Sequence, residues 1–220
     1  MRRYCDINEI SDGNCYSEND MVKLSCNGCN GAASCCHGMG TSIILDPYDV
    51  YRLTKELSCT MEQLLVEQLE LNVVDGMILP NMKMVGKEEA CFFLDKAGAC
   101  SIHESRPGFC RIFPLGRYYK EDDFTYILQA SACKNQHPIK TKVGKWIDTK
   151  DWKENRVFIR KWHNLLHQVE YLVTNKLSEE EIKQVNLFLL RLFYFLPYDN
   201  EQSFYEQFDS RLNQANEILQ

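Results

Sequence analysis

Four cysteines fall within eleven residues, in Cys26-Asn-Gly-Cys29-Asn-Gly-Ala-Ala-Ser-Cys35-Cys36, and the run continues as His37-Gly38-Met39-Gly40. A hydrophobic core has no need of thiols at this density. Thiolates this close together suit a soft metal ion or an iron–sulfur cluster. The interleaved glycines allow positive φ and a close approach of backbone N–H groups to sulfur or to an anion. The rest of the chain then reads as a scaffold that completes and shields such a site.

Eleven cysteines in 220 residues could mean disulfides or metal. The first residues, Met-Arg-Arg-Tyr-Cys-Asp-Ile-Asn-Glu-Ile, hold no apolar stretch of signal-peptide length. No run approaches the ~18 apolar residues of a membrane span. A cytoplasmic chain is expected, in a compartment that keeps thiols reduced. The cysteine count is also odd, and clustered cysteines under reducing conditions favour metal over disulfides. A second group follows the first: Cys91-x8-Cys100-x9-Cys110, and then Cys133. Two ligand groups separated by structured chain are an economical way to close a metal site. Cys26, Cys29, Cys35, Cys36, Cys91, Cys100, Cys110 and Cys133 are therefore the candidate metal ligands. They outnumber what one tetrahedral zinc ion takes. Cys5, Cys15 and Cys59 stand apart and read as incidental or packing thiols.

Charge bears on partners. The chain is −6 overall with a pI near 5.4, which argues against a nucleic-acid binder. Arg106 to Lys145 carries eight basic residues against three acids, about +5, which leaves about −11 elsewhere. That segment is either a solvated face or an offset to a thiolate-rich, anionic site. Within it, Arg106 and Arg111 flank Cys110. They read either as ordinary turn and surface arginines or as cofactor-binding donors to cluster sulfur or to an anionic group. His37 and His103 lie close to candidate ligands and read as hydrogen-bonding neighbours of the site. His163 and His167 are four apart on a helix, but His-Asn-Leu-Leu-His lacks the glutamate of a zincin motif.

Local patterns predict an α+β fold. Residues 1–145 form an irregular, cysteine-ligated region with short strands, and residues 146–220 form a helical segment packed on it. Ser42–Leu45 reads as a strand. Asp46-Pro47 with Asp49 opens a helix over 47–58. Thr60-Met-Glu-Gln63 is a capping box for a helix to about residue 69. Short strands are expected around 73–74, 77–79, 82–85 and 124–128, broken by Asp-Gly and Pro-Asn turns. An apolar stripe from Phe158 to Val173 predicts a long amphipathic helix. Ser178 with Glu181 caps the next helix, which stops near Pro197, and a last helix fills 200–218.

Taken together, several motifs resemble the YkgJ-type cysteine-cluster family, a zinc- or iron-chelating domain, over roughly residues 24–135. They are the cysteine loop with His37-Gly-Met-Gly, then Ile43-Ile-Leu-Asp-Pro-Tyr-Asp-Val-Tyr-Arg-Leu53, Cys91-Phe-Phe-Leu-Asp95, Gly98-Ala-Cys-Ser-Ile-His103, and Arg106-Pro-Gly-Phe-Cys-Arg-Ile-Phe-Pro114. Some relatives are flagellin lysine N-methylases, for which an iron–sulfur cofactor is implied. The resemblance thus implies an iron–sulfur (4Fe–4S) cluster or zinc, and methyl transfer to a lysine of a protein substrate. The surplus of thiolates and the methylase relatives favour the cluster. A zinc-stabilised interaction module without enzymatic activity and a metal-delivery factor are the alternatives. The family's usual loop has a further cysteine where this chain has Ala32. Sequence runs diagnostic of radical S-adenosylmethionine enzymes, bacterial ferredoxins, dinucleotide-binding folds and P-loops are all missing.

Overall fold

Short polar side chains cap four of the eight described α-helices, at Asp6, Asp46, Thr60 and Ser178. The computed structural model describes residues 6–24, 36–120, 123–129 and 139–219. In chain order the elements begin with α1 (Ile7–Ile10), β1 (Met21–Leu24), α2 (Pro47–Leu57) and α3 (Met61–Glu67). A run of short strands follows, β2 (Leu69–Val74), β3 (Met77–Met82), β4 (Met84–Val85) and β5 (Ala90–Cys91). Then come α4 (Gly108–Ile112), β6 (Leu115–Lys120), β7 (Asp123–Leu128), β8 (Ile139–Lys142) and α5 (Val143–Ile147). The chain finishes on α6 (Trp152–Asn175), α7 (Glu179–Leu190) and α8 (Phe204–Ile218). The fold is α+β, with small antiparallel sheets of two strands each and long helices toward the C-terminus.

The described residues group into two compact units. One takes residues 41–83 with 151–219, and the other residues 6–40 with 84–150.

The first unit is built on capped helices. Asp49 N–H donates to Asp46 Oδ1 at 2.9 Å, and Asp46 N–H donates back to Asp49 Oδ2 at 3.2 Å. Both orphan donors at the start of α2 are thereby satisfied. Thr60 with Gln63 does the same for α3, and Ser178 with Glu181 for α7. Ser58 ends α2 in the left-handed region at φ 51°. Strands β2 and β3 form a hairpin whose Asp75-Gly76 turn has φ of 50° and 81°. Positive φ at both central positions gives the twist a two-residue hairpin needs. Asn186 of α7 clamps this hairpin. Its Oδ1 accepts from Ile78 N at 2.6 Å, and its Nδ2 donates to Gly76 O at 2.9 Å.

The apolar stripe of α6 buries Phe158, Ile159, Trp162, Leu165 and Val169. Phe158 and Phe208 meet edge to face at 4.6 Å between ring centroids, and Trp162 meets Phe193 at 5.1 Å. Such contacts add to the burial of large apolar side chains. Beyond α7 the helix widens to a π turn over Arg191–Phe195. There the Tyr194 hydroxyl, fully buried, donates to Leu45 O at 3.0 Å.

The second unit is held by short ladders. Strand β1 pairs with β8, β4 with β5, and β6 with β7. The segment after α1 runs beside β7, with Tyr16 and Tyr126 exchanging backbone hydrogen bonds at 2.7 and 2.8 Å. Helix α5 is tied to the end of α4 by Trp146, whose Nε1 donates to Ile112 O and Phe113 O at 3.3 and 3.1 Å. Val22, Leu24, Leu115, Phe124, Ile127 and Val143 are among its buried side chains.

Several local expectations change. Pro80-Asn81 is not a turn but the interior of β3. Asn81 is 1% exposed, and its amide donates to Glu70 Oε1 at 3.0 Å while its carbonyl accepts from Asn72 Nδ2 at 2.7 Å. Cross-strand side chains thus satisfy the polar groups that would otherwise favour a turn. Ser42–Leu45 makes a single bridge, Ile44 to Asn81, and not a strand. Strand β6, with its glycine and basic residues, lacks the alternation that marks a strand in sequence. The last helix starts at Phe204, not 200.

Candidate metal centre

Of the eight candidate ligands, Cys36, Cys91, Cys100 and Cys110 are among the described residues. Cys26, Cys29, Cys35 and Cys133 lie outside them. The described four all belong to the second unit.

Cys91 is the last residue of β5, is 7% exposed and pairs with Met84 of β4. On the other side of β5, His37 forms an antiparallel bridge to Ala90, and Gly38 N–H donates to Glu89 O at 2.9 Å. Cys36 precedes His37 and Cys91 follows Ala90. An antiparallel bridge therefore makes them the next residues outward on two adjoining chains. Long-range backbone pairing thus delivers one cysteine of the dense loop to one of the second group. His37 Nδ1 lies 3.4 Å from Glu88 O, which orients its ring.

After Cys91 the chain folds tightly on itself. Leu94 N–H donates to Cys91 O at 2.9 Å, and Leu94 bridges Cys100. Asp95 organises the turn between, with its Oδ1 accepting from Ala97 N and Ala99 N, both at 2.8 Å. Ser101 N–H and its hydroxyl both donate to Phe93 O. Cys100 is thereby returned to the neighbourhood that Cys91 left. Cys110 sits in the short helix α4.

The arginines on either side of Cys110 are placed differently. Arg111 is 6% exposed, and its guanidinium donates to Glu104 O at 2.5 Å and Asp148 O at 3.0 Å. It fixes α4 to the turn before it and to the end of α5. The Arg106 guanidinium lies against His103 Nε2. Burial, with the positive charge of Arg106 beside it, holds the His103 imidazole below its usual pKa. That favours the neutral ring, the form able to accept a hydrogen bond or bind a metal. Cys59 lies in the first unit, and burial pushes its thiol pKa up, in keeping with a packing role.

Among the described residues, no three His, Cys, Asp or Glu side chains converge as a metal cage. Backbone pairing sets Cys36 and Cys91 side by side without closing a cage. In the β1–β8 ladder Leu24 pairs with Ile139. Cys26 follows Leu24 by two positions, and Cys133 precedes Ile139 by six. Leu24 is the last described residue before Cys26, and Ile139 the first described residue after Cys133. Donors that are thiols, with a neutral imidazole nearby, fit soft or borderline metals such as zinc and iron. Cysteine spacing signals neither this register nor the pairing of Met84 with Cys91.

The model of the CxxCxxCC family, described as a "Putative zinc- or iron-chelating domain", matches residues 25–136. The chain belongs to this family. Its matched stretch opens one residue after Leu24 and closes three before Ile139, so the β1–β8 ladder brackets it. The domain is a metal-binding one, and the cysteines are its distinguishing residues. No curated protein and no solved structure matches the chain. No described helix is long and apolar enough to cross a membrane.

Proposed function

We propose that this protein binds an iron–sulfur cluster at a split site. The two halves are Cys26, Cys29, Cys35 and Cys36, and Cys91, Cys100, Cys110 and Cys133. The observation that carries this reading is the bridge of His37 to Ala90, which sets the chain of Cys36 beside that of Cys91. The family description supports a zinc- or iron-chelating role and leaves the choice of metal open. Eight thiols exceed the four that one tetrahedral zinc ion or one [4Fe–4S] cluster takes and so allow two centres, and the preference for a cluster follows from the resemblance to flagellin lysine N-methylases. When bound, an iron–sulfur cluster supplies one-electron chemistry whose potential depends on hydrogen bonds to sulfur and on solvent exposure. The chain's own part is to deliver thiolates from two sides and to fix their backbones by the β4–β5 ladder, the Asp95 turn and the Arg111 clamp.

Anaerobic purification with iron, acid-labile sulfide and zinc analysis, together with a visible spectrum, tests the assignment. Iron and sulfide in comparable amounts in a brown protein are expected. Stoichiometric zinc in a colourless protein would replace the cluster with a zinc-stabilised interaction module. Cys91→Ala and Cys36→Ala should each strip most of the metal, because ligation and folding are coupled. Full metal content in both variants would remove Cys36 and Cys91 from the site.

A further inference from the structure

The β1–β8 ladder carries an arrangement that stability alone does not favour. Its register sets Lys23 directly opposite Lys140, and Met21 opposite Lys142. Directly opposed residues of an antiparallel pair point to the same face, and like charges so placed repel. All four side chains are exposed, and Met21 is 48% exposed. Lys145 on α5, just beyond β8, is exposed as well. Among the described residues no carboxylate lies in ion-pair distance of any of these lysines. The acids nearest in sequence are turned to local tasks. Asp20 accepts from Ser17 N and Ser17 Oγ at 2.6 and 2.8 Å, and Glu18 faces the amide of Asn19. This uncompensated cationic face stands on a chain of net charge −6.

We propose that the lysine face of the β1–β8 ladder is a docking surface for an extended acidic segment of a partner protein. The ladder has two strands, so among the described residues each has an edge that pairs with no further strand. An incoming strand can take such an edge by main-chain hydrogen bonds while side chains supply specificity. Alternate carboxylates of a strand added beside β8 then meet Lys140 and Lys142, with Lys23 one strand further in on the same face, and the apolar side chains between them meet Ile139, 65% exposed on the other face. Charge complementarity selects the partner class. A nucleic acid brings a dense line of phosphates that the other acidic surfaces of this chain repel, whereas a short acidic peptide brings few charges. Lysines on an exposed edge also discourage self-association, and a strand bearing carboxylates is the pairing they still permit.

The test uses the full chain with its metal and a short fluorescent peptide alternating glutamate and leucine, followed by anisotropy. The peptide should bind in about 50 mM salt and weaken by about 200 mM, as screened contacts do. Lys23→Gln, Lys140→Gln and Lys142→Gln combined should weaken it by about tenfold or more, about 1.4 kcal/mol. The Lys→Arg triple variant should keep it. A peptide with glutamine for glutamate should not bind. Metal content and circular dichroism confirm that the variants fold. No binding by folded wild type, equal binding by the Gln variant, or tighter binding of a single-stranded oligonucleotide than of the peptide would each overturn the proposal.

Discussion

The two units of this chain stabilise themselves by different means. Residues 41–83 with 151–219 hold twenty-four of the thirty-five buried hydrophobic side chains among the described residues, Phe158, Trp162, Phe193 and Phe208 included. Residues 6–40 with 84–150 hold eleven, spread over short ladders and loops, and one of those is Cys91. The first unit follows the ordinary route of large apolar side chains, capped helices and a clamped hairpin. The second buries Phe93 and Phe124 and also the thiol of Cys91, while Cys36, Cys100 and Cys110 are half-buried. A small apolar interior seldom holds a loop-rich region by itself, and a structural metal is one of the usual supplements.

The largest expected effect separates the units outright. Removing the metal under reducing conditions should abolish hydrogen-exchange protection in β4–β5 and α4 and leave α6, α7 and α8 protected. Equal loss in both units would break the contrast. Phe208→Ala tests the other side. Phe208 is fully buried and meets the rings of Phe158 and Phe193. Its truncation should cost about 3–5 kcal/mol by denaturant titration, with metal content unchanged. Loss of metal in that variant would show that the units do not stand on separate supports.

Alkaline titration sharpens the comparison. In the first unit burial raises the pKa of Tyr194, Tyr198 and Tyr205 well above the usual phenol value. In the second, Tyr16 is raised to about 12 by burial and by its hydrogen bond to Asp12. A raised pKa means that the native state favours the neutral phenol. Its stabilisation is complete below the unfolded value of about 10 and is lost as pH climbs from there toward the folded one. Phenolate absorbance should therefore lag behind that of free tyrosine and then rise together with unfolding of the helices. Ionisation of all eleven tyrosines near the free value would contradict this. The smallest effect is local. Ser178→Ala removes the capping box of α7 and should cost about 1 kcal/mol with no change in metal. A loss of several kcal/mol would mean that the start of α7 does more than begin a helix.

What could be read from sequence follows the same divide. Asp46-Pro47, Thr60 with Gln63 and Ser178 with Glu181 announce helix starts because a cap is a matter of neighbouring residues, and all three form as the spacing predicts. The stripe of α6 was legible for the same reason. Pro80-Asn81 reads as a turn yet lies within β3, because the partners of Asn81, Glu70 and Asn72, stand on another strand. The adjacency of Cys36 and Cys91 was out of reach on the same grounds, since it depends on a bridge between residues 53 positions apart. Cysteine spacing names the candidates, and only backbone pairing says which of them are neighbours.

The pairing of Leu24 with Ile139 has a consequence for how this chain can be divided. Leu24 and Ile139 stand 115 positions apart in the chain, and residues 41–83 between them belong with 151–219. Each unit is thus assembled from two separate stretches of sequence. A chain ended before residue 139 leaves β1 without its partner strand, so neither unit can be made as one uninterrupted piece.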